Sequence, residues 1–259
     1  MKIEGRWTIC TILLLIIMTA SLFATTGEGS ATLGGVNGYV VLPSAIPVKS
    51  TQESASITTG YNAVLEFPLT FSHIPYIQFG FKEDFEVSLA VDIAESADLL
   101  LNAKWRFIEK ETTSITFGVN GQMHDIGKDP LLFAAQTYIA TSFSSNFIDL
   151  PSKTTILIGY TVKDNMNTDI DFGMGFQAPL WEKVFKGKVD FLIDFGNVSY
   201  SAYPGAGKAE NRGMLNVGMK LLPIEFMKST FIAADFRLID ILDHEGRGVS
   251  AGVSITFRP

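Results

Sequence analysis

Residues 85–93 read "FEVSLAVDI". Phe85, Val87, Leu89, Val91 and Ile93 fall on one side of a period-two repeat, and Glu86, Ser88, Ala90 and Asp92 on the other. Successive side chains of a β-strand point to opposite faces, so this stretch is a strand with one apolar and one polar face. The fold turns on which of those faces is wet.

The pattern recurs along the chain. Leu99, Leu101, Ala103, Trp105 and Phe107 alternate with Leu100, Asn102, Lys104 and Arg106, and Ile170, Phe172, Met174 and Phe176 with Asp171, Gly173, Gly175 and Gln177. Val189, Phe191, Ile193 and Phe195 alternate with Lys188, Asp190, Leu192 and Asp194. Leu215, Val217, Met219 and Leu221 oppose Asn216, Gly218 and Lys220, while Ile232, Ala234, Phe236 and Leu238 oppose Ala233, Asp235 and Arg237. Shorter rows run through 115–119 and 156–162, and weaker ones through 53–62, 72–81 and 132–143. With the closing stretch "GVSAGVSITFRP", this makes twelve segments of about ten residues, with ten as the alternative count. Turn-like stretches separate them, such as "KED" at 82–84, "EKETT" at 109–113 and "KDNMNTD" at 163–169. No helical period persists, and residues 53–259 form one domain without a linker.

The first 24 residues have a different character. Lys2 and Arg6 precede an apolar run from Thr11 to Met18, and the small residues Ala20, Ser21 and Ala24 come after it, which is the layout of a secretory signal peptide. The run is shorter than the roughly 20 residues a spanning helix needs. Cleavage after Ala24 would remove Cys10, the only cysteine, so disulfides and cysteine metal sites are excluded from the mature chain. It would also remove Lys2, Arg6 and Glu4, changing 20 basic and 27 acidic residues to 18 and 26, a net charge of −8. An acidic chain without a basic cluster is a poor partner for nucleic acid. Residues 25–52 lie between this segment and the first alternating row.

A dozen amphipathic strands fit either a soluble sandwich or barrel with the apolar face inward, or an outer-membrane barrel with it outward. A closed barrel of twelve strands encloses more space than one layer of side chains fills. Glycines and small polar residues suit a wet lumen, and strands of about ten residues match a tilted bilayer crossing. With the apolar face toward lipid, Glu86, Asp92, Lys104, Arg106, Asp171, Lys188, Asp190, Asp194, Lys220, Asp235 and Arg237 all line the lumen. Reversing the sheet would place them in hydrocarbon, at roughly 2–4 kcal/mol for a basic residue at the midplane. The expectation is therefore an all-β, single antiparallel up-and-down transmembrane β-barrel in the bacterial outer membrane, with outer-membrane lipid around it.

The ending of the chain resembles the C-terminal signal of bacterial outer-membrane β-barrels. Its elements are Ser250, Gly252, Val253, Ile255 and Phe257, and the resemblance implies the barrel assembly machinery as a partner. Arg258 and Pro259 extend beyond the aromatic residue at which many such proteins stop. A second stretch, "GYVVLPSA" at 38–45, is similar to the segment that opens the barrel region in YjbH-like exported barrels; an ordinary strand and turn would read the same way.

If the last strand ends in the periplasm, as that resemblance implies, twelve strands place residues 25–52 as an N-terminal segment in the periplasm or folded into the lumen, and the turns at 82–84, 108–113, 144–153, 179–187 and 222–229 share that end. Phe81, Phe85, Trp105, Phe107, Trp181, Phe226 and Phe257 then form an aromatic girdle there. The outer loops would be 63–71, 94–97, 124–131, 163–169, 198–211 and 239–246. Histidine occurs only at 73, 124 and 244. His124 with Asp125, and Asp243 with His244, could act as rim general-base dyads, but no lipase or protease motif accompanies them. Three dispersed histidines make no metal site, and "GAG" at 205–207 lacks the strand and helix context of a phosphate cradle. No catalytic residue and no cofactor are expected. Function is expected to be a narrow channel for small solutes or a structural envelope barrel; the alternatives are a rim-site hydrolase of lipid or peptide, or an adhesin acting through 200–211. Mixed charge signs in the lumen argue against strong ion selectivity.

Overall fold

The computed structural model describes residues 30–51, 53–67, 69–127, 132–163, 170–197, 213–242 and 247–259. The expected signal segment, the 200–211 stretch and the Asp243–His244 pair lie outside them. Two short strands come first, β1 (Ser30–Ala31) and β2 (Asn37–Gly38), which pair with each other and not with the barrel, Gly38 also bridging to Pro43. The barrel strands then run β3 (Ser56–Glu66), β4 (Thr70–Phe81), β5 (Phe85–Ile93), β6 (Ala97–Glu109), β7 (Thr113–His124), β8 (Leu132–Phe147), β9 (Leu150–Lys163), β10 (Asp171–Pro179), β11 (Val189–Gly196), β12 (Met214–Met227), β13 (Thr230–Ile239) and β14 (Gly248–Phe257).

Each barrel strand pairs antiparallel with its sequence neighbours, and β14 closes on β3 in a register from Gly248 opposite Glu66 to Phe257 opposite Ile57. The result is a closed up-and-down barrel of twelve strands. Closure removes every sheet edge, the condition for a β-structure to sit in lipid, where no water can satisfy an unpaired backbone group.

The alternation sorts the side chains as physical chemistry requires. Val87, Leu89, Leu101, Trp105, Phe117, Val119, Phe236, Val253 and Ile255 are exposed on the outer surface, while Glu86, Ser88, Asn102, Lys104, Thr116, Asn120 and Ser250 are buried on the inner one. The soluble arrangement, with the apolar rows inward, is therefore excluded. At the end carrying the C-terminus, Phe85 stacks on Trp105 at 6.0 Å between ring centres and Trp105 leans on Phe107 at 5.8 Å.

Turns differ at the two ends. At the C-terminal end β8 and β9 join through Ile148 and Asp149, with φ of 50° and 62°, the positive values whose twist matches two antiparallel strands. The longer connection there contains one helical turn, α1 (Glu182–Phe185), entered through Trp181 with φ 40°. The expected loop at 63–71 is shorter in the structure, because pairing of β3 with β4 continues to Glu66 opposite Thr70.

Arg258 and Pro259 prolong this scaffold. The Arg258 N–H donates to the Ser229 carbonyl at 2.8 Å, and its guanidinium lies 4.7 Å from the centre of the Phe231 ring. The basic residue after Phe257 thus fastens the last strand to the β12–β13 turn.

Candidate functional site

The inner face of the barrel meets protein. Residues 31–48 touch β3, β5, β6, β7, β8, β9, β11 and β13, strands spread around the whole circumference, so this stretch lies inside the lumen. The expectation that the inward glycines leave space for water is thereby corrected, because wall glycines instead admit side chains of the inner segment. A Cβ on Gly175 would stand 2.6 Å from the Tyr39 ring and one on Gly80 2.7 Å from Val48, while one on Gly173 would overlap Leu42. Two further glycines, Gly60 and Gly118, accommodate the wall tyrosines Tyr76 and Tyr138.

Wall and segment share two apolar clusters. Ala31, Leu33 and Val40 pack with Val64, Ile74, Tyr76, Ala90, Leu100 and Ile239. Tyr39, Leu42 and Ala45 pack with Tyr138, Ala140, Leu157 and Leu192. Leu100 and Leu192 sit in the polar rows of their strands, and each belongs to a cluster shared with this segment. They are the sequence signal for a filled lumen that a simple polar row conceals.

Polar contacts fix the segment through its main chain. Asp194 Oδ2 accepts the N–H groups of Val40, Val41 and Leu42 at 2.8, 2.9 and 3.1 Å, and its Oδ1 accepts Asn216 Nδ2 at 2.6 Å. Lys104 Nζ donates to the carbonyls of Asn37, Ser44 and Ile46 at 2.8, 3.2 and 3.1 Å. The Glu86 carboxylate accepts from the N–H of Asn37 at 2.7 Å and of Val48 at 2.6 Å, and pairs with Lys104 at 3.2 Å; neither side chain of this pair has exposed surface. Arg237 donates to the Ala31 carbonyl at 2.6 Å, and Asn62 Nδ2 to the Leu33 carbonyl at 3.0 Å. Buried charges require such partners, since an uncompensated one costs several kcal/mol.

The charges named from the sequence are distributed as follows. Glu86, Asp92, Lys104, Arg106, Asp171, Asp190, Asp194, Lys220 and Arg237 are buried, while Lys188 and Asp235 are half-buried. Glu86, Lys104, Asp194 and Arg237 hold the inner segment. Asp92 accepts from Ser72, and Asp171 from Gln136 and Thr161. Asp190, Lys220 and Asp235 stand opposite one another on adjacent strands, and Asp235 pairs with Arg237 at 2.8 Å. Arg106 pairs with Asp84 at 3.0 Å and Glu109 at 2.7 Å at the C-terminal end. Lys188 immediately precedes β11, and its carbonyl accepts the Leu222 N–H.

Sequence spacing suggested His124 with Asp125; the structure pairs it otherwise. His124 Nδ1 lies 3.1 Å from Asp98 Oδ2 and 3.0 Å from Gln122 Nε2, and Asp98 Oδ1 accepts the Asp125 N–H. Asp98 begins the neighbouring strand, a long-range partner that local spacing could not reveal. Among the described residues no group of His, Cys, Asp and Glu could hold a metal.

At the C-terminal mouth the inner segment leaves by the β4–β5 turn, where Ser50 accepts the Glu83 N–H at 2.9 Å. A cavity of about 420 Å³ remains across the mouth from this exit, lined in part by Ser144, Asn146, Lys153, Gln177 and Asp190.

The architecture defines the chain as a barrel of the outer-membrane type. Among solved structures it is similar to the KdgM porin, with a TM-score of 0.50, 10% identity and coverage of 78% of this chain and 99% of that one. It is also similar to the NanC porin, with a TM-score of 0.51, 9% identity and coverage of 80% and 100%. At such identities the likeness is one of fold. No family model matches the chain, and no curated protein matches it.

Proposed function

We propose that the protein is a bacterial outer-membrane channel for small solutes whose lumen is closed in this structure by residues 31–48. The observation that carries this reading is the chemistry of the wall: an apolar coat outside, and inside it the charged and polar side chains of nearly every strand. A barrel serving only as a scaffold would be more stable with an apolar interior, because buried ion pairs are rarely worth their desolvation. The wall also has unused hydrogen-bonding capacity, since Ser88 Oγ, Asn102 Oδ1, Asp235 Oδ1 and Ser250 Oγ are buried without a partner. Water or a polar solute could use these groups. Interleaved signs, as in the Asp190, Lys220 and Asp235 row, favour weak ion selectivity.

A structural envelope barrel is the second reading, favoured by the apolar contacts of Leu33, Tyr39 and Leu42 with the wall. Planar bilayers separate the two. Discrete conductance steps with cation-to-anion preference near unity are expected from the reconstituted chain or from a variant with a weakened inner segment. Insertion into the bilayer without steps from either would overturn the channel and leave the scaffold. The rim hydrolase reading retains His124 with Asp98 at its centre, and would need lipid or peptide hydrolysis that falls on changing His124 to alanine. The barrel assembly machinery is the proposed partner in the cell, acting on the stretch from Ser250 to Phe257.

A further inference from the structure

We infer that the lumen is a binding site for polypeptide main chain, and that the chain's own residues 31–48 occupy it as a displaceable gate. This rests on the channel reading and deepens it.

The wall recognises backbone groups. Asp194 takes three consecutive N–H groups, Lys104 three carbonyls, Glu86 two N–H groups, and Arg237 and Asn62 further carbonyls. Thr116 donates to the Ala45 carbonyl, and the Ala45 N–H donates to Ser142. These are groups that every peptide carries. Side chains of the segment interlock with the wall as in a core, and the clasp in addition holds backbone groups that the segment's own turns leave unpaired.

Part of the wall keeps partners of its own when the segment leaves. Glu86 and Lys104 stay paired with each other at 3.2 Å, Arg237 with Asp235 at 2.8 Å, and Asp194 with Asn216 at 2.6 Å. Departure leaves Glu86 with Lys104 and Arg237 with Asp235 as ion pairs and Asp194 with one amide donor, in an opened, hydrated lumen where water relieves the cost of desolvation. Inward glycines such as Gly173 and Gly175 lose the side chains that fill them, so the emptied lumen is wide where Leu42 and Tyr39 had stood.

The segment is tethered lightly enough to move. Among the described residues between Ser50 and β3, Thr51 bonds with Ser54 within the connection itself, and Ser54 makes an exposed 3.5 Å contact with the Pro259 carbonyl. The 420 Å³ cavity across from the exit leaves part of the same mouth unfilled. The apolar clusters keep the resting state closed, and the charged clasp sets how readily it opens.

The test uses the full-length chain with Cys10 changed to serine, in vesicles and planar bilayers. Val40→Cys reports displacement, because Val40 is fully buried and reacts with a charged maleimide only when the segment leaves the wall. Asp194→Asn weakens the clasp by removing a charged acceptor, and should accelerate labelling and raise the frequency of conductance openings about tenfold over the parent. The pair Val40→Cys with Gly218→Cys should lock the gate, since the Val40 Cγ2 lies 3.5 Å from the Cβ position of Gly218. Openings should vanish on oxidation and return on reduction. Labelling unchanged by Asp194→Asn, or openings that persist through the disulfide, would overturn the gate while leaving the channel. Accelerated labelling with no conductance in any form would uphold displacement from the site and overturn the channel.

Discussion

Gly175 illustrates how much a single missing side chain decides. It lies in β10 between Met174 and Phe176, which face outward, and its own inward position is occupied by the ring of Tyr39. Tyr39 in turn shares a hydrogen bond of 2.8 Å with Thr155 on β9. Gly175→Leu would require the tyrosine to vacate this place. The outer surface and the strand pairing would be unchanged, so the barrel should still form, but overpacking of this kind costs about 1–3 kcal/mol. The expected result is a folded barrel in which a protease site engineered near residue 40 is cut faster than in the parent, reporting release of the inner segment. A variant with the segment still fully protected would show that the glycine has no such role. In the sequence Gly175 is a small residue on a polar face, and spacing alone could not tell a space for water from a space for a ring that arrives from the far N-terminal part of the chain.

Among the elements, β5 shows most directly which side of the sheet meets lipid. Its outward residues Val87 and Leu89 stay exposed although they are apolar, while the intervening Glu86 and Ser88 are buried. A charge placed on the outward row therefore has no protein or water to meet. Leu89→Arg, at the middle of this nine-residue strand, should lower stability by about 2–4 kcal/mol in vesicles, read as a shift of the denaturant unfolding midpoint. The same substitution measured in a short-chain detergent, where water approaches the strand more closely, should cost less. Equal cost in both would contradict placement of this row in hydrocarbon. The strand was legible in the sequence because its outward face is purely apolar and its inward face carries two carboxylates. Strands β4 and β8 were harder to read, since Ile74 and Ala134 interrupt their polar rows, and both of these residues are buried in the structure.

For the molecule as a whole, closure and filling are separate events. Closure depends on β14 finding β3, a pairing between residues about 200 positions apart, and it brings Phe257 beside Ile57 and Thr230 at the C-terminal rim. Phe257→Ser should reduce assembly into the outer membrane severalfold, measured as the heat-modifiable folded fraction in cells, and should affect refolding in detergent far less. Equal loss in both settings would assign the residue to barrel stability alone and remove the case for an assembly signal. Filling depends on residues 31–48, whose own structure is the β1–β2 pair, a Gly38–Pro43 bridge and a few turns, braced by the wall.

The number of strands, the outward face of each and their antiparallel order can be read from the residues in order, because a period-two alternation and short turns are local properties. What occupies the lumen cannot be read that way. Whether Asp194 meets water or three backbone N–H groups, and whether Lys104 faces a solute or three carbonyls, depends on a segment about 60 residues away from Lys104 and about 150 from Asp194. Folding alone brings these groups together, and a main-chain ligand leaves little trace in side-chain pattern, since every residue carries the groups that the wall binds.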